Sequence, residues 1–230
     1  MSEYWRFLQD VVIPALNQGL WVSTLLIVPS ALMGLLLGIV VGALRVYGPA
    51  PLRKVNEAYV SIFRGTPLVV QLFFWYFALP HIQIMGARLV LSPMAAAILG
   101  FSLCSAAYHS EYIRGALLSI RQGQINAAQA LGMTKVQTII SVILPQALRR
   151  ALPGCGNEII YLIKYSSLAS IITVSDLTGI GRTIAKQTWR NIEVFAALGI
   201  YYLLLVTVAT LILRWVELRI SLPGFEQAKN

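Results

Sequence analysis

Residues 25–44 read LLIVPSALMGLLLGIVVGAL. The run carries no charge, and a helix of about 20 residues covers the ~30 Å of a bilayer's hydrocarbon core. A single run this apolar can be a buried core helix. The whole chain argues otherwise. Of 230 residues, 57% are hydrophobic and 12% charged, with mean hydropathy +0.72. Soluble domains run near 45–50% apolar and about 25% charged. The surplus is too large for one core of this size, so lipid must cover part of it. Four more runs have similar length, at about 58–79, 91–113, 156–174 and 194–213, with the first at about 20–44. No stretch alternates as a membrane barrel strand would. The expectation is one all-α integral membrane domain, 1–230, with five transmembrane helices.

The net charge is +9. The cations flank the apolar runs instead of gathering on a soluble face, which argues against nucleic acid. Arg45, Arg53, Lys54 and Arg64 lie between runs 1 and 2, and Arg114, Arg121, Lys135, Arg149 and Arg150 between runs 3 and 4. With Arg214, Arg219 and Lys229 this makes twelve, against five on the other side: Arg6, Arg88, Arg182, Lys186 and Arg190. The positive-inside rule then sets the N-terminus outside and the C-terminus inside. The opening MSEYWRFLQD lacks the form of a cleaved signal peptide. Cys104 and Cys155 form no CxxC, and no His, Cys and carboxylate cluster has metal spacing. No nucleophile motif and no G-x-x-x-x-G-K-[ST] occurs, so an enzyme is not expected and any ATP must bind another chain.

Gly34, Gly38 and Gly42 form a stripe that permits close helix approach, within one chain or between two. The cytoplasmic loop of about 120–150 holds a good helix former at 124–131, with Ile125, Ala128 and Leu131 as an apolar stripe. Gly132 ends that helix in the left-handed conformation. A second helix from Thr134 stops at Pro145. The loop helix either docks into a partner's groove or lies on the membrane surface.

These residues resemble a family. Asn126-Ala127-Ala128, three residues, Gly132, then Leu144-Pro145 is similar in spacing to the EAA loop of ABC importer permeases. Asn126 stands where the family has Glu, and Val142 where it has Ile. Phe63-Arg64-Gly65-Thr66-Pro67-Leu68 with Gln71-Leu72 resembles a stretch of the polar amino-acid branch. Glu111, Arg114-Gly115, Gly123-Gln124, Asn157-Glu158 and Lys164-x-Ser166-Ser167-Leu168 continue it, with Tyr165 where Asp is common. The resemblance is to the permease subunits of bacterial type I importers for histidine, glutamine or arginine. It implies a multi-pass subunit of the bacterial cytoplasmic membrane, paired with an identical or related permease. It also implies cytoplasmic ATPases that bind ATP and Mg, an extracytoplasmic binding protein, and a polar amino acid as substrate. Gln124, Asn126, Ala127, Ala128, Leu131, Gly132, Leu144 and Pro145 are the implied ATPase-coupling residues. An ATP-independent channel or facilitator is the alternative.

Ionisable groups inside spans are costly and point to function. Glu158 and Lys164 fall in the fourth run. With Tyr161, Tyr165, Ser166 and Ser167 they form a polar face toward a substrate path, or Glu158 bonds the coupling loop. Arg64 and Thr66 open the second run, where Arg64 is an interface anchor or a gate. The polar outer segment 175–193 reads as a partner surface or a solvated loop.

Overall fold

The computed structural model describes residues 3–84 and 87–220; Lys229 of the cationic tail lies outside them. Among the described residues the regular structure is helical apart from a two-stranded antiparallel ribbon. In order it forms α1 (Glu3–Phe7), α2 (Ile13–Tyr47), α3 (Ala50–Gly65) and α4 (Leu68–Phe73), followed by β1 (Gln83–Ile84) and β2 (Ala87–Arg88). Then come α5 (Pro93–Leu118), α6 (Gln122–Ala130), α7 (Lys135–Thr138), α8 (Leu144–Tyr165), α9 (Leu177–Thr188) and α10 (Asn191–Ile220).

The central pair is α2 and α5. A Cβ built on Gly34 would meet Ser105 Cβ at 2.9 Å, on Gly38 His109 Cβ at 2.5 Å, and on Gly42 Ile113 Cγ2 at 3.0 Å. Both series rise by four, so the helices run parallel with i±4 rows interlocked. The glycine stripe therefore packs within this chain. In the opposite sense, Arg150 of α8 donates to the carbonyl of Ser119, and Gly154 abuts Tyr112. Thus α8 runs against α5. Only 6% of the apolar window of α10 is buried, the mark of a helix facing lipid.

Among the described residues two helices, Glu3–Tyr47 and Asn191–Ile220, are long and apolar enough to cross a membrane. Two bent pairs raise this to four: Ala50–Gly65 with Leu68–His81, bent by 106°, and Lys135–Ile172 with Leu177–Thr188, bent by 53°. The third expected span, α5, is not among them. It is the buried centre of the bundle and carries Ser102, Ser105, His109, Ser110 and Glu111.

Several expected boundaries shift. The first helix continues back to Glu3 instead of starting near 20. The run at 58–79 is not one helix. Thr66 is extended (φ −115°, ψ 144°) because Pro67 disfavours helical geometry in its predecessor. Arg64 therefore lies in the last turn of α3 instead of opening a span, and Pro67 is the N-cap of α4. Gln71 secures the bend by donating to the carbonyls of Phe63 (2.9 Å) and Thr66 (3.1 Å). Pro145 does not stop a helix, since the chain stays helical from Lys135 to Ile172. Wide π-turns at Leu8–Val12, Phe74–Ala78 and Ile139–Ile143 each end two residues before a proline: Pro14, Pro80 and Pro145. A wider turn removes the clash between the ring and the preceding carbonyl. The fourth run, 156–174, belongs to α8 and a tighter 3₁₀ segment, Ser166–Ile172. The segment 175–193 contains a helix, α9, capped by Asp176 accepting from Gly179 N–H at 2.8 Å.

Candidate substrate cavity and coupling loop

The bend at Thr66-Pro67 opens a cavity of about 460 Å³ where α3, α4, α5 and α8 converge. Arg64, Thr66, Phe101, Cys104, Ser105, Tyr108, Glu158, Leu162, Tyr165 and Leu168 are among its lining residues. Most of the wall is apolar, and its charged members are one guanidinium and one carboxylate. Glu158 is 7% exposed, with Ser105 beside it and the charge of Arg64 acting on it. The guanidinium of Arg64 lies 5.2 Å from the ring centre of Tyr108. Such a pair complements a zwitterion, whose carboxylate needs donors and whose ammonium needs an acceptor.

Four expected path residues lie elsewhere. Tyr161 and Lys164 are exposed outside the cavity lining, with Lys164 Nζ 5.2 Å from the Tyr161 ring centre. Ser166 is buried and donates to the Ile163 carbonyl, while Ser167 donates to that of Lys164. Conversely, Cys104, Ser105 and Tyr108 were not singled out for the path. Their signal was present, since they share α5 with the residues facing the glycine stripe.

Beside the cavity, Glu111 gathers three arginines from separate elements. Arg45 of α2 and Arg114 of α5 donate to its two oxygens, and Arg64 stands 3.6 Å away. The Glu111–Arg114 pair is thus one part of a joint linking α2, α3 and α5.

The loop helix is α6, Gln122–Ala130, against the expected 124–131. Ala128 is buried and Ile125 half-buried against the cluster containing Ile113, Ile120 and Ile143. Leu131 does not continue that stripe, being 83% exposed. Gln124, Asn126 and Ala127 are exposed as well, and Asn126 accepts from Gln122 at 3.1 Å. Gly132 has φ +79°. Its N–H bonds Gln129 O, and that of Met133 bonds Ala128 O, the two bonds of a Schellman cap. Thr134 and Gln137 then start α7 with a capping box. Leu144 is half-buried and Pro145 exposed just past the π-turn.

A Cβ at Gly132 would meet nothing within 4 Å, so substitution there tests backbone conformation alone. Gly132→Val is expected to lose about 1–2 kcal/mol of local stability, and Gly132→Asn much less. Protease sensitivity of the 120–150 loop checks this; equal resistance of all three proteins would contradict it.

Residues 34–222 match the family of binding-protein-dependent transport system inner membrane components. The glutamine transport system permease protein GlnP of Escherichia coli K12 is 39% identical over 214 residues, covering 91% of this chain and 94% of GlnP. The L-cystine transport system permease protein TcyB of Bacillus subtilis 168 is 39% identical over 173 residues, covering 75% of this chain and 72% of TcyB. The crystal structure of an amino acid ABC transporter with histidines superposes with a TM-score of 0.83 at 28% identity, covering 95% of this chain and 99% of that one. The MetNI methionine ABC transporter in inward-facing form shares the fold, with a TM-score of 0.78 at 24% identity over 96% of this chain and 100% of the other. A family match over residues 34–222, most of the chain, means that this protein belongs to the binding-protein-dependent transport system inner membrane components.

Proposed function

We propose that this chain is the permease subunit of an ATP-driven importer of polar amino acids. Its five crossings are α2, the bent α3–α4 pair, α5, α8 with its 3₁₀ extension, and α10. The parallel pairing of α2 with α5, and the reversed α8, fit crossings that alternate in direction, and the twelve-against-five division of cations puts the N-terminus outside and the C-terminus inside. Two copies, or this chain and a related one, enclose the pathway. An extracytoplasmic binding protein delivers the amino acid, and separate ATPases bind ATP and Mg. The exposed face of α6 receives those ATPases, and Ile125, packed against the cluster that holds Ile113 of α5 and Ala147 of α8, carries their movement into the bundle. Such packed elements respond by switching between discrete arrangements.

One observation carries the substrate reading: the cavity sets a guanidinium and a buried carboxylate in one largely apolar wall. Arg64 takes the α-carboxylate and Glu158 the α-ammonium. Thr66, Ser105 and Tyr108 supply neutral polar contacts. The first amino acid to try is L-glutamine, after GlnP.

Glu158→Gln keeps the shape and removes the charge. It should lower amino-acid-stimulated ATP hydrolysis at least about tenfold, the value of a charge-assisted bond in a dry site. Assembly with the ATPase should survive, read by co-purification. Wild-type stimulation would assign Glu158 to structure alone.

A further inference from the structure

The three arginines around Glu111 hold it unequally. Arg45 donates to Oε1 at 2.5 Å and Arg114 to Oε2 at 3.0 Å. Each carboxylate oxygen therefore has a charge-assisted hydrogen bond already. Arg64 stands 3.6 Å from Oε1, beyond hydrogen-bond reach. Its side chain is 41% exposed and lines the cavity, against 11% exposure for Arg45. Removing Arg64 would leave Glu111 fully paired; on Glu111's side Arg64 holds a long, partly wet ion pair, beside a cation–π contact with Tyr108 and the attraction of Glu158 across the cavity. Among the described residues that ion pair is the one joining α3 to α5.

We infer that Arg64 is an exchangeable counter-ion, resting on Glu111 and Tyr108 and transferring to the α-carboxylate of an amino acid that enters the cavity. The inference rests on the cavity being the substrate site. A free α-carboxylate offers the guanidinium two parallel N–H···O bonds, which Glu111, already engaged on both oxygens, does not. The exchange loosens α3 from α5 when substrate is present. Occupancy of the cavity is thereby reported to the joint where α2, α3 and α5 meet. Glu111 acts in this as a positioning residue that competes with substrate for Arg64.

The test is a double-mutant cycle on the assembled permease and ATPase complex, without binding protein, in vesicles. Equilibrium binding of radiolabelled L-glutamine to the complex reads occupancy directly. The readout is the L-glutamine concentration that half-saturates the permease. Arg64→Gln should raise that concentration at least tenfold. Glu111→Gln should lower it about 2- to 5-fold, the range for a partly exposed ion pair. In the Arg64→Gln background Glu111→Gln should have no further effect. Should Glu111→Gln fail to assemble, Glu111→Asp keeps the charge while drawing it back from Arg64, and the same pattern is expected.

An equal Glu111 effect in both backgrounds would overturn the exchange. If Arg64→Gln and Glu158→Gln weaken binding in that case, the cavity reading survives without it. If the wild type binds neither L-glutamine nor any amino acid that stimulates hydrolysis, both readings fall together.

Discussion

Gly38→Leu is expected to remove the folded protein from the membrane fraction. The Cβ alone would lie 2.5 Å from His109 Cβ and 3.1 Å from the Ala106 carbonyl. His109 is fully buried, with Nδ1 2.8 Å from the Ser105 carbonyl, so it has little freedom to give way. The parallel helices must then part along the whole stripe. Overpacking of this kind costs about 3 kcal/mol, and the lost contacts at Gly34 and Gly42 add to it. In lipid, close packing is much of what holds helices together, so little else compensates. Gly115→Leu is the control, since nothing lies within 4 Å of a Cβ there. Membrane yield and detergent thermal unfolding check the pair. Comparable yield and stability of Gly38→Leu would contradict the packing account.

Ala127→Arg has the second largest expected effect, and on coupling instead of folding. Ala127 is exposed on α6, while its neighbour Ala128 is buried against the bundle. A charge at Ala128 would strike the fold and the docking surface at once. A charge at Ala127 strikes only the docking surface. The variant should reach the membrane normally and lose ATPase co-purification, with coupled transport falling at least about tenfold, as when a charge is buried unpaired in an interface. Normal assembly would move the docking surface away from α6.

What the sequence disclosed divides along physical lines. The glycine stripe and the left-handed Gly132 rest on local properties, and both hold in the structure. The bend at Thr66-Pro67 was hidden because the flanking residues are apolar enough to read as one run. Its signals, a proline with an amide side chain four residues on, become clear only when Gln71 is seen binding the freed carbonyls. Pro145 was read as a stop because a proline opposes regular α-helix; the π-turn before it offers a second solution that composition does not announce. The helix at α9 was missed because a polar surface helix resembles a loop in an otherwise apolar chain. For the cavity, charge within an apolar chain was enough to single out Arg64 and Glu158. That Tyr161 and Lys164 lie outside this cavity depends on how α8 is rotated against α5. That rotation is set by tertiary packing.

The central claim is that this chain carries an amino acid across a membrane only when a partner spends ATP. Purified permease, ATPase and binding protein should be reconstituted in vesicles, and labelled L-glutamine and a panel of polar amino acids followed on both sides. The account predicts accumulation of one of them above its outside concentration, requiring ATP and binding protein and absent in Ala127→Arg. Equilibration at the same rate with and without ATP, unchanged by Ala127→Arg, would contradict it and leave a facilitator in its place.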